Sequence, residues 1–387
     1  MYQQIDIFDM MYPAFRIDKP IRLIELFAGI GSQAMALRDL GADFQRYRIS
    51  EWEVNANRSY KAIHVSDGLR NADYSKKFTK FKWLVRVLYE IGISADGKTP
   101  LTQREIRRRG EDWCRRTYNE FKATRNIGSI TKRHGIDLGI VETEKYCYIM
   151  TYSFPCQDLS VAGKQKGMTK GSHTRSGLLW EVERLLNECD ELPQVLLMEN
   201  VPQVHSKANM PDFQKWIDFL ESKGYSNYWQ DLNAKRYGVA QNRDRCFMVS
   251  ILGEWNYKFP HTMLLGRKWK DYLEDEVDER FYIGNEKAQQ LIQKLIDNGT
   301  LVHPSEQMTV EISNKDVGSG IDVGHAILGR EYKGPSGLTR TNAVVRQVPV
   351  DLSVNNPGEK TVSNCITSKD YGISSRGSLG NGVVEWK

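Results

Sequence analysis

A chain of 387 residues is longer than one compact α/β domain needs and predicts one large domain plus a smaller one. Its hydrophobic content of 40% is enough for a substantial core, and a net charge of +5 with a pI near 8.7 permits a polyanionic partner without demanding one. No apolar run approaches the roughly 18 residues that span a bilayer. Met1 to Asp18 has no basic leader and is not expected to act as a secretory signal. The six cysteines are scattered without a Cys-x-x-Cys pair, which argues against a zinc ribbon or disulfide framework and for a reducing, cytoplasmic setting; no metal-ligand set is expected.

Residues 21–26 read as a buried strand. Phe27-Ala28-Gly29-Ile30-Gly31-Ser32 follows, then a helical pattern from Gln33 to Leu40 that stops at Gly41. Strand, small-residue turn and helix form the first unit of a nucleotide-binding α/β fold, in which glycines let backbone approach a ligand at a helix N-terminus. An ordinary βα turn has the same composition, and the third glycine of the dinucleotide fingerprint is absent. A second strand over Arg48–Trp52 ends in Glu51 and Trp52. Glu51 lies at the spacing where a carboxylate reaches ribose hydroxyls, and Trp52 offers an aromatic face; separately, each would read as a surface acid and a core aromatic.

Residues of about 70–133 have a different character. Phe78, Phe81, Val85 and Leu88 have helical spacing, Ile106, Trp113, Thr117 and Phe121 suggest a second helix, and Ser94 to Pro100 carries turn chemistry between them. From Lys76 to Arg133 there are sixteen Lys/Arg against six Asp/Glu, a local charge of +10. Both a solvated helical face and a contact with a nucleic-acid backbone account for such an excess.

The apolar run Tyr146–Phe154 reads as a strand that Pro155 ends, placing Cys156 on a stiff turn at the strand's C-terminal edge, where open α/β sheets carry their chemistry. A buried structural thiol is the alternative. Residues 160–177 are rich in Gly, Ser, Thr and Lys and read as a loop able to close over a substrate. Leu178 to Cys189 is an amphipathic helix. The strand 193–198 ends in Glu199-Asn200, a carboxylate placed to hand over a proton. Phe213 to Leu220 is a helix stopped at Gly224. Gln241-Asn242-Arg243-Asp244-Arg245 precedes a strand from Cys246 to Leu252, with the two arginines on one side, suited to phosphate or a base edge. Beyond 255, an acidic stretch (271–279), a short helix (287–296) and short apolar pieces such as 342–345 suggest a second domain of short strands and loops.

Taken in order over roughly 20–255, these turns resemble the cytosine-C5 DNA methyltransferases of phage and restriction–modification systems. Ile24-Glu25-Leu26-Phe27-Ala28-Gly29-Ile30-Gly31 resembles the family's first motif and Glu51-Trp52 its second. Phe154-Pro155-Cys156-Gln157 resembles the nucleophile motif, Glu199-Asn200-Val201 the Glu-Asn-Val motif, and Gln241-x-Arg243-x-Arg245 the Gln-x-Arg-x-Arg motif. The resemblance implies a Rossmann-like α/β fold with a catalytic and cofactor-binding domain over 1–255, carrying the basic insertion, and a partial target-recognition region over 256–387. It implies S-adenosyl-L-methionine as methyl donor, held by Phe27, Ala28, Gly29, Gly31, Glu51, Trp52, Ser129 and Pro155. It implies Cys156 as the nucleophile that adds to C6 of a cytosine flipped from double-stranded DNA. Glu199 would act on N3, with Asn200, Arg243 and Arg245 orienting the base and its phosphate and Gln157, Ser160 and Gln241 on the substrate side. The setting implied is the cytoplasm of a bacterium or a phage-infected host.

The sequence also departs from the family. Glu25 and Ser32 stand where the first motif has Asp and Gly. Ser129 occupies the place of the third motif's Asp, with Asp137 as a substitute. The closing Gly-Asn-Ser-Val motif and its helix are not found; Gly380-Asn381-Gly382 is only superficially similar, so the chain is expected to stop inside the recognition region. A truncated or split homologue, inactive alone and binding DNA or a second chain that supplies the missing motifs, is therefore the alternative.

Overall fold

The structure is a computed structural model. It describes residues 14–159, 167–172, 174–266, 268 and 271, together with the backbone of four short strands at 309–312, 324–325, 341–345 and 383–384. The chain divides into two compact units, 1–231 with 246–259, and 232–245 with 260–387.

The first unit is built on one sheet. Its strands are β1 (Ile21–Leu26), β2 (Phe44–Ser50), β3 (Cys147–Tyr152), β4 (Val195–Asn200) and β5 (Tyr225–Asn233); after the two-residue β6 (Gln241–Asn242) comes β7 (Asp244–Leu252). The sheet order is β2-β1-β3-β4-β7-β5. The first four strands are parallel and β7 runs antiparallel to β4. This is a Rossmann-like α/β sheet. All six residues of the central β3, Cys-Tyr-Ile-Met-Thr-Tyr, are buried, as a parallel strand covered on both faces requires. β5 is absent from the sequence expectations. Its Tyr-Ser-Asn-Tyr-Trp-Gln-Asp-Leu-Asn is half exposed at the sheet edge, so it lacks the apolar run that marks a buried strand.

The helices are α1 (Ser32–Asp39), α2 (Val54–His64), α3 (Asp67–Arg70), α4 (Phe81–Ile91), α5 (Gln103–Arg108), α6 (Glu111–Ala123), α7 (Gly135–Leu138), α8 (Leu179–Glu188) and α9 (Met210–Ser222). α8 and α9 cover the sheet with Leu179, Trp180, Leu185, Phe213, Trp216 and Leu220, which share a core with Tyr148, Met150, Tyr152, Leu196 and Met198. α4 to α6 form a separate core from Leu84, Val85, Leu88, Ile106, Cys114, Tyr118 and Phe121. The single helix expected around Ile106 to Phe121 is two helices. Gly110, at φ 87° and ψ 163°, adopts a backbone conformation outside any helix and breaks the chain between them.

In the second unit β6 pairs in parallel with the strand at Gly324–His325. The strand at Thr341–Val345 pairs with Thr309–Ile312 antiparallel and with Val383–Val384 in parallel. The expected helix at 287–296 and the acidic stretch at 271–279 lie outside the described residues, apart from Asp271, whose carboxylate accepts the Lys268 N–H at 2.7 Å. No helix among the described residues is long and apolar enough to cross a membrane.

Candidate active site

Leu26 lies in register with Ser50 on one side and with Tyr152 on the other. The turns after β1, β2 and β3 therefore begin at the same edge of the sheet. The chain leaves β1 toward β2 on one flank and later enters β3 on the other, so the crevice between β1 and β3 is the switch point where such sheets bind ligands.

The turn after β1 is wound tightly. Phe27, Gly29 and Gly31 all have positive φ, at 57°, 54° and 81°. The two glycines serve different ends. A Cβ on Gly31 would lie 2.4 Å from His64 Nε2 and 2.5 Å from Tyr60, so Gly31 lets α2 pack against the turn; a Cβ on Gly29 would meet nothing within 4 Å. Glu25, where the related motif has Asp, is buried at 1% exposure. Its carboxylate accepts the Ala34 N–H in the first turn of α1 at 3.2 Å and the Tyr60 hydroxyl at 2.6 Å. Burial raises its pKa, and those two donors only partly oppose the shift. Glu25 thus anchors the helix start that follows the glycines.

The turn after β2 is tied to the first. The Glu51 carboxylate accepts the Gly29 N–H at 2.9 Å and the Glu53 N–H at 2.8 Å, while its burial raises its pKa. Asn126, to which the sequence reading gave no role, holds this turn. Its amide donates to the Glu51 carbonyl at 2.8 Å and to Asn57 Oδ1 at 2.9 Å, and its oxygen accepts from Glu51 N and Gly128 N. Ser50 Oγ donates to the Gly128 carbonyl at 2.7 Å. The 126–130 stretch is thereby drawn against the end of β2, and Ser129 is brought to the same place. Asp137, considered as its substitute, instead accepts the His134 N–H and caps its own helical turn, α7.

These turns enclose a cavity of about 230 Å³ lined by Phe27, Glu51, Trp52, Ser129 and Pro155, with Gln157, Arg175 and Leu178 beside them. Gly97 and Lys98 also line it. They come from the inserted region through the turn at Ser94–Thr99, whose Ser94 N–H donates to the Trp52 carbonyl at 2.7 Å and whose Asp96 accepts the Lys98 and Thr99 N–H groups. The Asp-Gly turn was legible in the sequence; its return to the cavity was not. Ala28 is buried behind the turn, its N–H donating to the Ser50 carbonyl at 3.2 Å.

Cys156 follows β3 and is partly buried against the main core. The turn that carries it is held from three sides. Buried Asn200, at the end of β4, donates its amide to the Phe154 carbonyl at 2.9 Å. Ser176 Oγ donates to the Pro155 carbonyl at 2.7 Å. Asp158 accepts the Arg175 N–H at 2.8 Å, while Gln157 Oε1 accepts from the Arg175 guanidinium. Glu199 is half-buried next to Asn200 on β4, the strand paired with β3. At the end of β4, where Cys246 lies in register with Asn200, His205, Asp231 and Cys246 converge, His205 Nε2 lying 2.9 Å from the Asp231 carboxylate. Burial pushes the Cys246 thiol up to about 12, with Asp231 adding to the shift. Ser160 lies outside the described residues. Gln241, Arg243 and Arg245 belong to the second unit, where the Arg243 carbonyl accepts the Ala234 N–H at 3.1 Å and the Arg245 guanidinium donates to the Asp244 carbonyl at 2.7 Å.

The sequence profile of the C-5 cytosine-specific DNA methylases matches residues 90–332. The orphan methyltransferase M.SssI of Spiroplasma monobiae is 39% identical over 270 residues, 69% of this chain and 68% of that protein. The type II methyltransferase M2.ScrFI of Lactococcus lactis subsp. cremoris is 37% identical over 269 residues, 69% and 71% of the two chains. Among solved structures, the Entamoeba histolytica methyltransferase EhMeth aligns over 83% of this chain and 74% of its own, with a TM-score of 0.49 at 15% identity. The chain belongs to the C-5 cytosine-specific DNA methylase family and is a DNA (cytosine-5-)-methyltransferase.

Proposed function

We propose that this chain transfers a methyl group from S-adenosyl-L-methionine to C5 of a cytosine flipped out of double-stranded DNA, through a covalent adduct with Cys156. The observation that carries this reading is the common edge of β1, β2 and β3: one cavity there is shared by Phe27, Glu51, Trp52, Ser129 and Pro155, and Pro155 adjoins Cys156. The lining fits a nucleoside-bearing cofactor. Phe27 and Trp52 supply aromatic faces for a purine and Glu51 supplies a carboxylate for ribose hydroxyls; Gly29, whose N–H donates to Glu51, is outside the lining and has open space where a Cβ would stand. Bound there, the cofactor supplies an electrophilic methyl group.

The chain's own residues do the rest. C5 of cytosine is a poor nucleophile until a thiolate adds at C6 and makes C5 enamine-like. Cys156 is assigned that addition, and Glu199 is assigned the proton at N3, where charge builds in the ring. Asn200 is a positioning residue that acts through the Phe154 carbonyl. Arg243 and Arg245 are assigned to the base and its phosphate, and the second unit to target recognition. Loss of the C5 proton and departure of Cys156 complete the cycle. The test is Cys156→Ala assayed for methyl incorporation into mixed-sequence DNA, with bisulfite sequencing to locate the product. Methyl transfer should be abolished, and wild type should form an SDS-stable adduct on duplex containing 5-fluorocytosine, whose fluorine cannot leave as the proton does. Undiminished turnover by Cys156→Ala would overturn the mechanism.

A further inference from the structure

The chain's positive charge is concentrated in one place. Lys76 to Arg133 carries +10, and the whole chain +5, so the remaining residues sum to −5. Without the inserted region this DNA methyltransferase would approach a polyanion with the wrong sign. Several cations of the insertion have local partners: Arg86 pairs with Glu90 at 2.8 Å, and Arg115 with Glu111 at 2.5 Å. α5 is different. Its sequence is Gln-Arg-Glu-Ile-Arg-Arg, followed by Arg109, and only Ile106 in that run is buried. At about 100° per residue, Arg104, Arg107 and Arg108 fall within one face roughly 100° wide, and Ile106 lies nearly opposite. Ile106 is fixed in the insertion core with Leu84, Leu88 and Phe121. The arginine face is therefore turned outward, and all three arginines are exposed. Arg109 lies over the Trp113 ring, 4.9 Å from its centroid.

The helix is also fixed in place. Thr102 and Glu105 form a capping box, in which Glu105 accepts both the Thr102 N–H and its hydroxyl while Arg108 and Arg109 lie near enough to favour its charged form. One or two basic residues in a last turn would complement the helix dipole. Three on one face, projecting from an independently packed core, exceed what that needs.

We infer that the outward face of α5, formed by Arg104, Arg107 and Arg108, is a sequence-independent anchor for the phosphate backbone of duplex DNA away from the target base. The face belongs to the insertion and lies outside the motifs assigned to the reaction; the inference rests on the reading of DNA as substrate but not on the catalytic assignments. The anchor raises the affinity and encounter rate of the enzyme for any duplex and makes both salt-dependent.

The test uses the full chain and a cytosine-free duplex, poly(dA·dT), which offers no target base. Binding is followed by fluorescence anisotropy between about 50 and 200 mM salt. Each phosphate contact contributes about 0.9 to the slope of log K against log[salt]. Arg104→Gln/Arg107→Gln/Arg108→Gln should lower that slope by about 2–3 and weaken binding at about 150 mM salt roughly 10- to 100-fold. The matching triple Lys variant should retain most of the slope, which a merely structural role for the guanidinium groups would not allow. Titration with S-adenosyl-L-methionine alone should be unchanged, which separates this outcome from a failure of the cofactor reading. An unchanged slope and affinity in the Gln variant, or no binding of wild type to the cytosine-free duplex, would overturn the inference.

Discussion

Gly29 and Gly31 make the same backbone demand but have different surroundings, and substituting each reads a different property. Alanine at Gly31 combines a left-handed φ of 81° with a Cβ only 2.4 Å from His64 Nε2. Gly31→Ala should cost about 2–4 kcal/mol of stability, seen as a lowered urea midpoint. Gly29→Ala bears only the strain of φ 54°, about 1–2 kcal/mol, because its Cβ enters open space in the protein alone. That same space is assigned to the cofactor. Titration of Gly29→Ala with S-adenosyl-L-methionine should therefore show at least a tenfold loss of affinity in a protein that remains folded; wild-type affinity would place the ligand elsewhere. At this scale the sequence was informative about position where a residue type marks a strand end, as with Cys156 after a proline or Glu51 beside an aromatic, each of which follows a strand of the sheet. It was silent on Asn126, whose role arises from four hydrogen bonds to Glu51, Asn57 and Gly128, partners far apart in the chain or reached only once the turn forms. Such residues follow from closure of the fold, not from local composition.

At the scale of elements, the strand ends were legible because prolines and glycines mark them, and the run Cys147–Tyr152 is apolar on both faces. The edge strand β5 and the break at Gly110 were not. An edge strand has only one neighbour and retains polar residues, and a single glycine between two helical patterns of compatible phase leaves the periodicity intact. The coupling between strands was also hidden. Asn200 sits at the end of β4 but its amide serves β3, holding the carbonyl two residues before Cys156. Asn200→Ala leaves that buried carbonyl without its donor and should cost about 1–3 kcal/mol. If its role is to position the nucleophile turn, kcat should fall at least tenfold while cofactor affinity stays within about twofold. A parallel loss of both would instead mean that the whole sheet edge had rearranged.

The molecule as a whole keeps two carboxyls, Glu25 and Glu51, at the edge where β1 and β2 end, and these link the turns around the cavity to the pH dependence of stability. Burial raises both pKa values above the ordinary 4.5, and for Glu25 the donors Ala34 and Tyr60 offset only part of that. Between pH 4.5 and the folded-state pKa, the native protein holds protons that the unfolded chain has released. Stability from these groups therefore rises as pH falls through the folded pKa and is lost as pH rises through it. Asp96, held at about 2 by the Thr99 and Lys98 N–H groups, has the opposite sign, but it is fully exposed and its window lies below 4. Glu25→Gln removes one titration while keeping an oxygen for the Ala34 N–H. Denaturant midpoints measured from pH 8 down to 5 should show wild type gaining on Glu25→Gln as the pH falls. A constant difference across that range would mean that Glu25 titrates alike in the folded and unfolded chains, and that its hydrogen bonds to Ala34 and Tyr60 fully compensate its burial. That gain locates the cost of a charged group beneath the turn that starts α1, where burial outweighs the donors Ala34 and Tyr60.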